Sequence, residues 1–169
     1  MLNPKKKDLR TKVKDEEEKH LPEEKELIKF LSNVALFGKL TRNERRNLVK
    51  YIYIRKFKIG EMIFKKNYPN VVFYILKEGE LKVFLEKNDE ELELNRLHPL
   101  DFFGEIGLFL DHSRTATVKA VEDSVLLAIS KRDLRDFIAR FPRAGVKILY
   151  KMGEILCNHV INLNKKINI

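Results

Sequence analysis

From Glu23 the apolar residues fall at helical spacing: Leu27, Leu31 and Val34 recur at intervals of four and three, with Ile28 beside them. Gly38 is placed to end this helix in the left-handed conformation. Thr41 and Glu44 have the spacing of a capping box, in which each side chain satisfies the other residue's backbone N–H. A second, short helix is therefore expected, with Leu48 and Ile52 as its apolar positions. From about residue 54 the period falls to two. Met62 and Phe64 alternate, then Phe73 and Ile75, then Leu81, Val83 and Leu85, with Leu92 and Leu94 after them. Ala116, Val118 and Ala120 continue the pattern, as do Val125, Leu127 and Ile129. Gly60, the cluster Asn67-Tyr68-Pro69-Asn70, Gly79 and Asn88-Asp89 punctuate these runs. Short strands with closely spaced turns indicate a β-sandwich or barrel.

After Ile129 the period returns to that of a helix. Ser130 can act as N-cap, with Asp133 three residues on, and Leu134, Phe137, Ile138 and Phe141 form one apolar face. Pro142 breaks that helix and can start another at its first position. Val146, Leu149, Gly153, Leu156, Val160, Leu163 and Ile167 then form a heptad seam with one flaw, Gly153. Such a seam can join two copies of the chain over residues 146–167 or pack on its own barrel, and the pattern fits both. The order of elements is two helices, a barrel-like core and two more helices, an α+β arrangement with helices at the ends of the sheet.

Residues 1–22 carry few apolar groups and read as a charged, disordered tail, which leaves one domain over residues 23–169. The overall balance, 44% hydrophobic and 35% charged in 169 residues, fits that single globular unit. Cys157 stands alone and cannot form an intrachain disulfide. No apolar run approaches the roughly 18 residues of a membrane span, and none follows the N-terminus as a secretory signal, so a cytoplasmic protein is expected. The net charge is +9, and residues 1–14 and 15–26 carry opposite charges that cancel. The excess lies in the folded part, partly in Arg42, Arg45, Arg46, Lys50, Arg55, Lys56 and Lys58, a surface that attracts anions.

The chemistry gathers in the segment from Phe103 to Val118, FGEIGLFLDHSRTATV. A glycine beside a short apolar turn lets backbone N–H groups converge on a phosphate. Arg114 can add a charge-assisted contact to phosphate oxygens, and the Glu105 carboxylate can accept from sugar hydroxyls. Phosphate and sugar hydroxyl together describe a nucleotide.

The run FGEIGLFLDHSRTATVKA resembles the phosphate-binding cassette of cyclic-nucleotide-binding domains, the family of bacterial cAMP receptor proteins and protein kinase A regulatory subunits. The resemblance extends over residues 23–165. FKIGEMIF and FYILKEGELKVF are similar to the barrel strands with turn glycines Gly60 and Gly79, and DLRDFIARFP is similar to the helix after the barrel. It implies an antiparallel β-roll, jelly-roll-like, flanked by N-terminal helices and two C-terminal ones, the last a lid. It also implies a cAMP or cGMP ligand, with no further cofactor. On this resemblance Gly104, Ile106 and Gly107 bring backbone to the cyclic phosphate, and Glu105 holds the ribose 2′-hydroxyl. Arg114 neutralises the phosphate, Thr115 offers a hydroxyl to phosphate and base, and Ala116 offers a backbone N–H. Two departures stand out. Asn67 replaces a usual turn glycine, and Gly107 stands where many eukaryotic members have alanine, as in the bacterial cAMP receptor type.

These readings point to a regulatory sensor that passes its signal to an unidentified effector protein, and not to an enzyme. A regulator contacting nucleic acid through the basic face is a rival, but no helix-turn-helix follows the heptad stretch and no base-reading signature appears. A metalloenzyme is disfavoured, because His20, His98, His112 and His159 are scattered and none pairs at ligand spacing. An interaction module whose cassette no longer binds nucleotide is the remaining alternative.

Overall fold

The structure is a computed structural model and describes residues 23–87 and 90–167. The charged segment 1–22, expected to be a tail, and the Asn88-Asp89 turn lie outside the described residues.

Residues 23–33 form α1 and bury Leu27, Ile28 and Leu31. The helix does not run on to Gly38, and Gly38 is not left-handed. The chain leaves α1 near Val34 through tight turns, held by Phe37 N–H donating to Val34 C=O at 2.9 Å and Leu40 N–H to Phe37 C=O at 3.0 Å. Burial of Leu36, Phe37 and Leu40 sets this path, so packing outranks the local glycine signal. The capping box forms as expected at the start of α2 (Arg42–Val49): Glu44 N–H donates to Thr41 Oγ1 at 3.2 Å, and Thr41 N–H donates to Glu44 Oε2 at 2.7 Å.

Eight strands follow: β1 (Tyr53–Phe57), β2 (Met62–Phe64), β3 (Val72–Glu78), β4 (Leu81–Lys87), β5 (Glu90–Leu97), β6 (Phe102–Phe103), β7 (Thr117–Ala120) and β8 (Ser124–Ser130). A single helical turn, α3 (Ile106–Phe109), separates β6 from β7. The strands make two antiparallel four-stranded sheets, in the orders β1-β8-β3-β6 and β2-β7-β4-β5. This is the α+β roll with flanking helices that the periodicity and the resemblance imply.

Strands β3 and β8 are apolar on both faces, because each divides two cores. Leu76 and Leu126 point between the sheets, where they join Leu81, Leu97, Phe103 and Val118. Phe73, Ile75, Leu127 and Ile129 point the other way, into a core built with Leu31, Leu48 and Phe137 from the helices. Phe84 has the parity of the outer face of β4, yet it is fully buried. Lys82 Nζ at 5.2 Å and Lys119 Nζ at 5.3 Å from the ring centroid cover it, and Glu91 pairs with both lysines. The lysine stems supply the apolar cover.

Ser130 caps α4 (Lys131–Arg140) by accepting from Asp133 N–H at 3.0 Å, as its position predicts. Helix α5 (Pro142–Ile167) then docks through Ala144, Ile148 and Met152, a stripe at intervals of four. Its first turns are also tied to α2 by Lys147 donating to Glu44 at 2.8 Å. The heptad seam lies elsewhere on the helix. Val146 is 65% exposed, Val160 56% and Leu163 59%, so the seam as far as Leu163 does not pack on its own barrel.

Two turn glycines separate backbone strain from crowding. Gly60 at φ +86° has nothing within 4 Å of a Cβ position. At Gly79, φ +90°, a Cβ would lie 2.6 Å from Asp123 C=O and overlap Ser124. A left-handed alanine costs roughly 1–2 kcal/mol. Gly60→Ala is expected to lower the thermal midpoint by only a few degrees, on the order of 2–4 °C per kcal/mol for this chain length. Gly79→Ala, which adds the overlap, is expected to lower it clearly further. Equal shifts in a thermal melt would show that the overlap is relieved without cost.

Candidate functional site

Strand β6 pairs with Tyr74 and Ile75 of β3, and Phe103 stacks on Tyr74 with ring centroids 5.4 Å apart. The chain then turns at Gly104, φ +83°. A Cβ there would lie 2.5 Å from Arg114 Nη1 and 2.9 Å from Val72 C=O. Glycine is needed at this point for conformation and for close approach alike. Glu105 caps α3 with helical backbone angles and makes no side-chain cap bond, which leaves its half-buried carboxylate available. Gly107 is buried, and a Cβ on it would overlap the Asn70 backbone oxygen.

Arg114 is the unusual residue. It is 4% exposed, inside the roll. Nη2 donates to Val72 C=O at 2.8 Å, while Nε and Nη1 are buried with no hydrogen-bond partner among the described residues. The guanidinium carbon sits 3.8 Å from the Phe64 ring centroid and 5.8 Å from that of Tyr74. A ring face attracts a cation but offers no acceptor in the plane of the guanidinium. Burial pushes the Arg114 pKa down to about 10, against the pull of Tyr74 and Glu105. The group stays protonated at neutral pH. Because its folded pKa lies below the unfolded one, its burial costs stability throughout the pH range below about 10. An anion beside it would remove that cost.

Arg114 is held from its backbone as well. Its N–H donates to Tyr68 C=O, and its own C=O accepts from Asn67 N–H, both at 2.9 Å. Asn67 takes φ +69°, so the left-handed turn survives the replacement of glycine.

Arg114 lines a cavity of about 190 Å³. Of the residues singled out in the sequence, Gly104, Glu105, Ile106, Arg114, Thr115 and Ala116 line it, with Thr115 exposed at the rim. Gly107 does not line it. Phe64, Asn70, Val83, Phe103 and Val118 complete the wall; Phe103 and Val118 bound the segment singled out in the sequence, but none of the five had a role assigned there. For Val83 and Val118 the inward parity of their strands was the available signal. Phe64 shared that signal through its place with Met62 in the alternating run, whereas Asn70 had none, since a turn residue reaches the cavity only once the sheets close. Residues of α5 do not line it. A wider hollow of about 540 Å³ at the β1–β2 edge is shallower and is lined by Ile54, Arg55, Lys56, Phe57, Glu61 and Met62. No buried unpartnered polar group points into it among the described residues. His112 is exposed, with Nδ1 2.9 Å from Ser113 C=O. Among the described residues no cluster of His, Cys, Asp and Glu could hold a metal, and no helix is long and apolar enough to cross a membrane.

Comparison with known proteins places this architecture. The family model described as "Cyclic nucleotide-binding domain" matches residues 54–141, more than half of the chain. A protein of Rhodopseudomonas palustris bearing the name of a potassium channel is 34% identical over 119 residues, 70% of this chain and 29% of that one. The cGMP-dependent protein kinase of Plasmodium berghei is 34% identical over 103 residues, 61% of this chain and 12% of the kinase. The chain thus spans less than a third of either relative. The crystal structure of the Thermus thermophilus catabolite activator protein superposes with a TM-score of 0.71 at 25% identity, covering 79% of this chain and 62% of that one. The matched segment holds both strand sheets, the glycine turn and the buried arginine, and on these grounds the chain belongs to the cyclic nucleotide-binding domain family.

Proposed function

We propose that this chain is a non-catalytic sensor that binds a cyclic nucleotide in the cavity around Arg114 and reports its presence through α5. The observation that carries this reading is the buried guanidinium with two nitrogens unpartnered among the described residues, beside an available carboxylate and a glycine that brings the backbone close. Unpaired donors call for an anion, and the Glu105 carboxylate calls for a hydroxyl. A 3′,5′-cyclic nucleotide presents both at one end. Pockets that enclose a whole ligand run to roughly 300–1,000 Å³. The 190 Å³ here suits the sugar–phosphate and leaves the base outside. Closure of α5 over the base would complete the site, and ligand shifts that equilibrium by its differential affinity for the closed state. Lys147 and Glu44 fasten the first turns of α5, so the part free to swing begins beyond Met152.

Titration calorimetry against cAMP and cGMP tests the site. Arg114→Ala is expected to weaken binding about 30-fold to a few thousand-fold, the effect of removing one partner of a buried charge pair at roughly 2–5 kcal/mol. Wild-type affinity in that variant would exclude this cavity as the anion site.

cAMP is the proposed physiological ligand, supported by the bacterial-type glycine at 107, and cGMP binds as well because Thr115 sets a hydroxyl at the cavity rim. One neutral hydrogen bond contributes about 0.5–1.5 kcal/mol, or roughly 2- to 13-fold. Thr115→Ala is expected to weaken cGMP by that factor and cAMP by less. Equal losses would confine Thr115 to the phosphate.

The proposed output is an interaction through the α5 seam. A line of exposed valine and leucine on a 26-residue helix is poorly placed in water and fits a second copy in coiled-coil register. Light scattering is expected to show a dimer in the micromolar range. A monomer at all concentrations, with and without ligand, would leave the seam to an effector protein instead.

A further inference from the structure

Asn70 lies outside the cassette, at the end of the turn that precedes β3. It is 8% exposed, and its Oδ1 is buried with no hydrogen-bond partner among the described residues. It lines the same cavity as Gly104, Glu105 and Arg114. The side chain is pressed over the turn of α3: a Cβ on Gly107 would lie 2.5 Å from Asn70 Cγ and from Oδ1. The small residue at 107 is therefore matched to the carboxamide at 70. The turn that carries Asn70 is bonded to the Arg114 backbone at Asn67 and Tyr68, which ties the two segments together.

A buried carbonyl oxygen without a donor weakens the empty protein, and such atoms in folded proteins call for a specific reason. Here the residue that carries the orphan acceptor lines the same cavity as Arg114, whose Nε and Nη1 are orphan donors among the described residues. A ligand that satisfies the whole set carries an anion and a hydroxyl side by side. A carboxamide can present either its oxygen or its N–H₂ to that ligand by turning about its last torsion. We propose that the Asn70 carboxamide hydrogen-bonds the sugar–phosphate of the bound cyclic nucleotide, as a specificity residue beyond the cassette. This rests on the nucleotide reading of the cavity.

The test uses the full chain, with calorimetric titration of cAMP and 2′-deoxy-cAMP and a thermal melt without ligand. Asn70→Ala is expected to weaken cAMP about 2- to 13-fold, the range for one neutral hydrogen bond. The ligand-free midpoint should stay level or rise, because the orphan oxygen is gone. Asn70→Asp keeps the shape but sets a carboxylate towards the anion, and is expected to weaken cAMP more than Asn70→Ala does. A loss equal for both ligands assigns the contact to the phosphate, and a loss confined to cAMP assigns it to the 2′-hydroxyl; either supports the proposal. Wild-type affinity in both variants, or a fall in the ligand-free midpoint that tracks the loss of affinity, overturns it and leaves Asn70 a packing residue. A wild-type chain that binds neither cAMP nor cGMP overturns the nucleotide reading, and this proposal with it. Wild-type binding that survives unchanged in the variants overturns the proposal alone.

Discussion

A guanidinium held inside a β-roll with no ion-pair partner among the described residues is the constraint around which the rest of the structure is arranged. Desolvation lowers the Arg114 pKa, and the fold answers with partial measures: a backbone carbonyl on one nitrogen, aromatic faces above, and a half-buried carboxylate nearby. None of these neutralises the charge. Breaking a buried pair is costly because it strands the remaining charge, and here the charge is stranded from the start. An anion beside the guanidinium would offset this cost, which is the physical basis of the proposed site.

The arrangement also links the cavity to the helices. Val72 C=O, which takes the Arg114 hydrogen bond, begins β3. The next residue, Phe73, points into the helical core, and Tyr74 points back to the guanidinium. Alternation along a strand thus puts successive β3 residues in two different cores. The helical core contains Phe137 of α4 and Ile148 and Met152 of α5. Packed side chains therefore run from Arg114 along β3 to the base of α5, and in the proposed sensor close-packed cores would carry a shift between them.

Much of this was legible in the residue pattern. Thr41 and Glu44 formed the expected capping box, Ser130 capped its helix, and Gly60, Gly79 and Asn67 took the left-handed turns their residue types allow. Other features were hidden because they depend on distant partners. Leu100 sits at φ +82°, where a leucine is strained, and its turn is held by Asp101 Oδ2 accepting from His98 N–H at 2.8 Å. Phe84 reads as an outward residue, yet it is buried, with lysines of β4 and β7 over its ring. Gly38 reads as a helix stop, but burial of Leu36 and Phe37 ends the helix earlier.

The candidate site divides along the same line. The run from Gly104 to Ala116 carries a glycine, a carboxylate and an arginine whose shared role is what its resemblance to the phosphate-binding cassette implies. That much the sequence by itself determined, together with the order of helices and strands, which follows from hydrophobic period and capping. Whether Arg114 would be paired or stranded was decided only in three dimensions, because its surroundings come from β2 and β3, some 40 to 50 residues away. The same holds for Asn70, an ordinary turn residue until closure of the sheets puts its carboxamide on the cavity wall. It holds for the α5 seam too, whose period is plain in sequence but whose exposure depends on which other stripe of the helix the core accepts. Local periodicity specifies the elements, whereas burial is a property of the assembled whole.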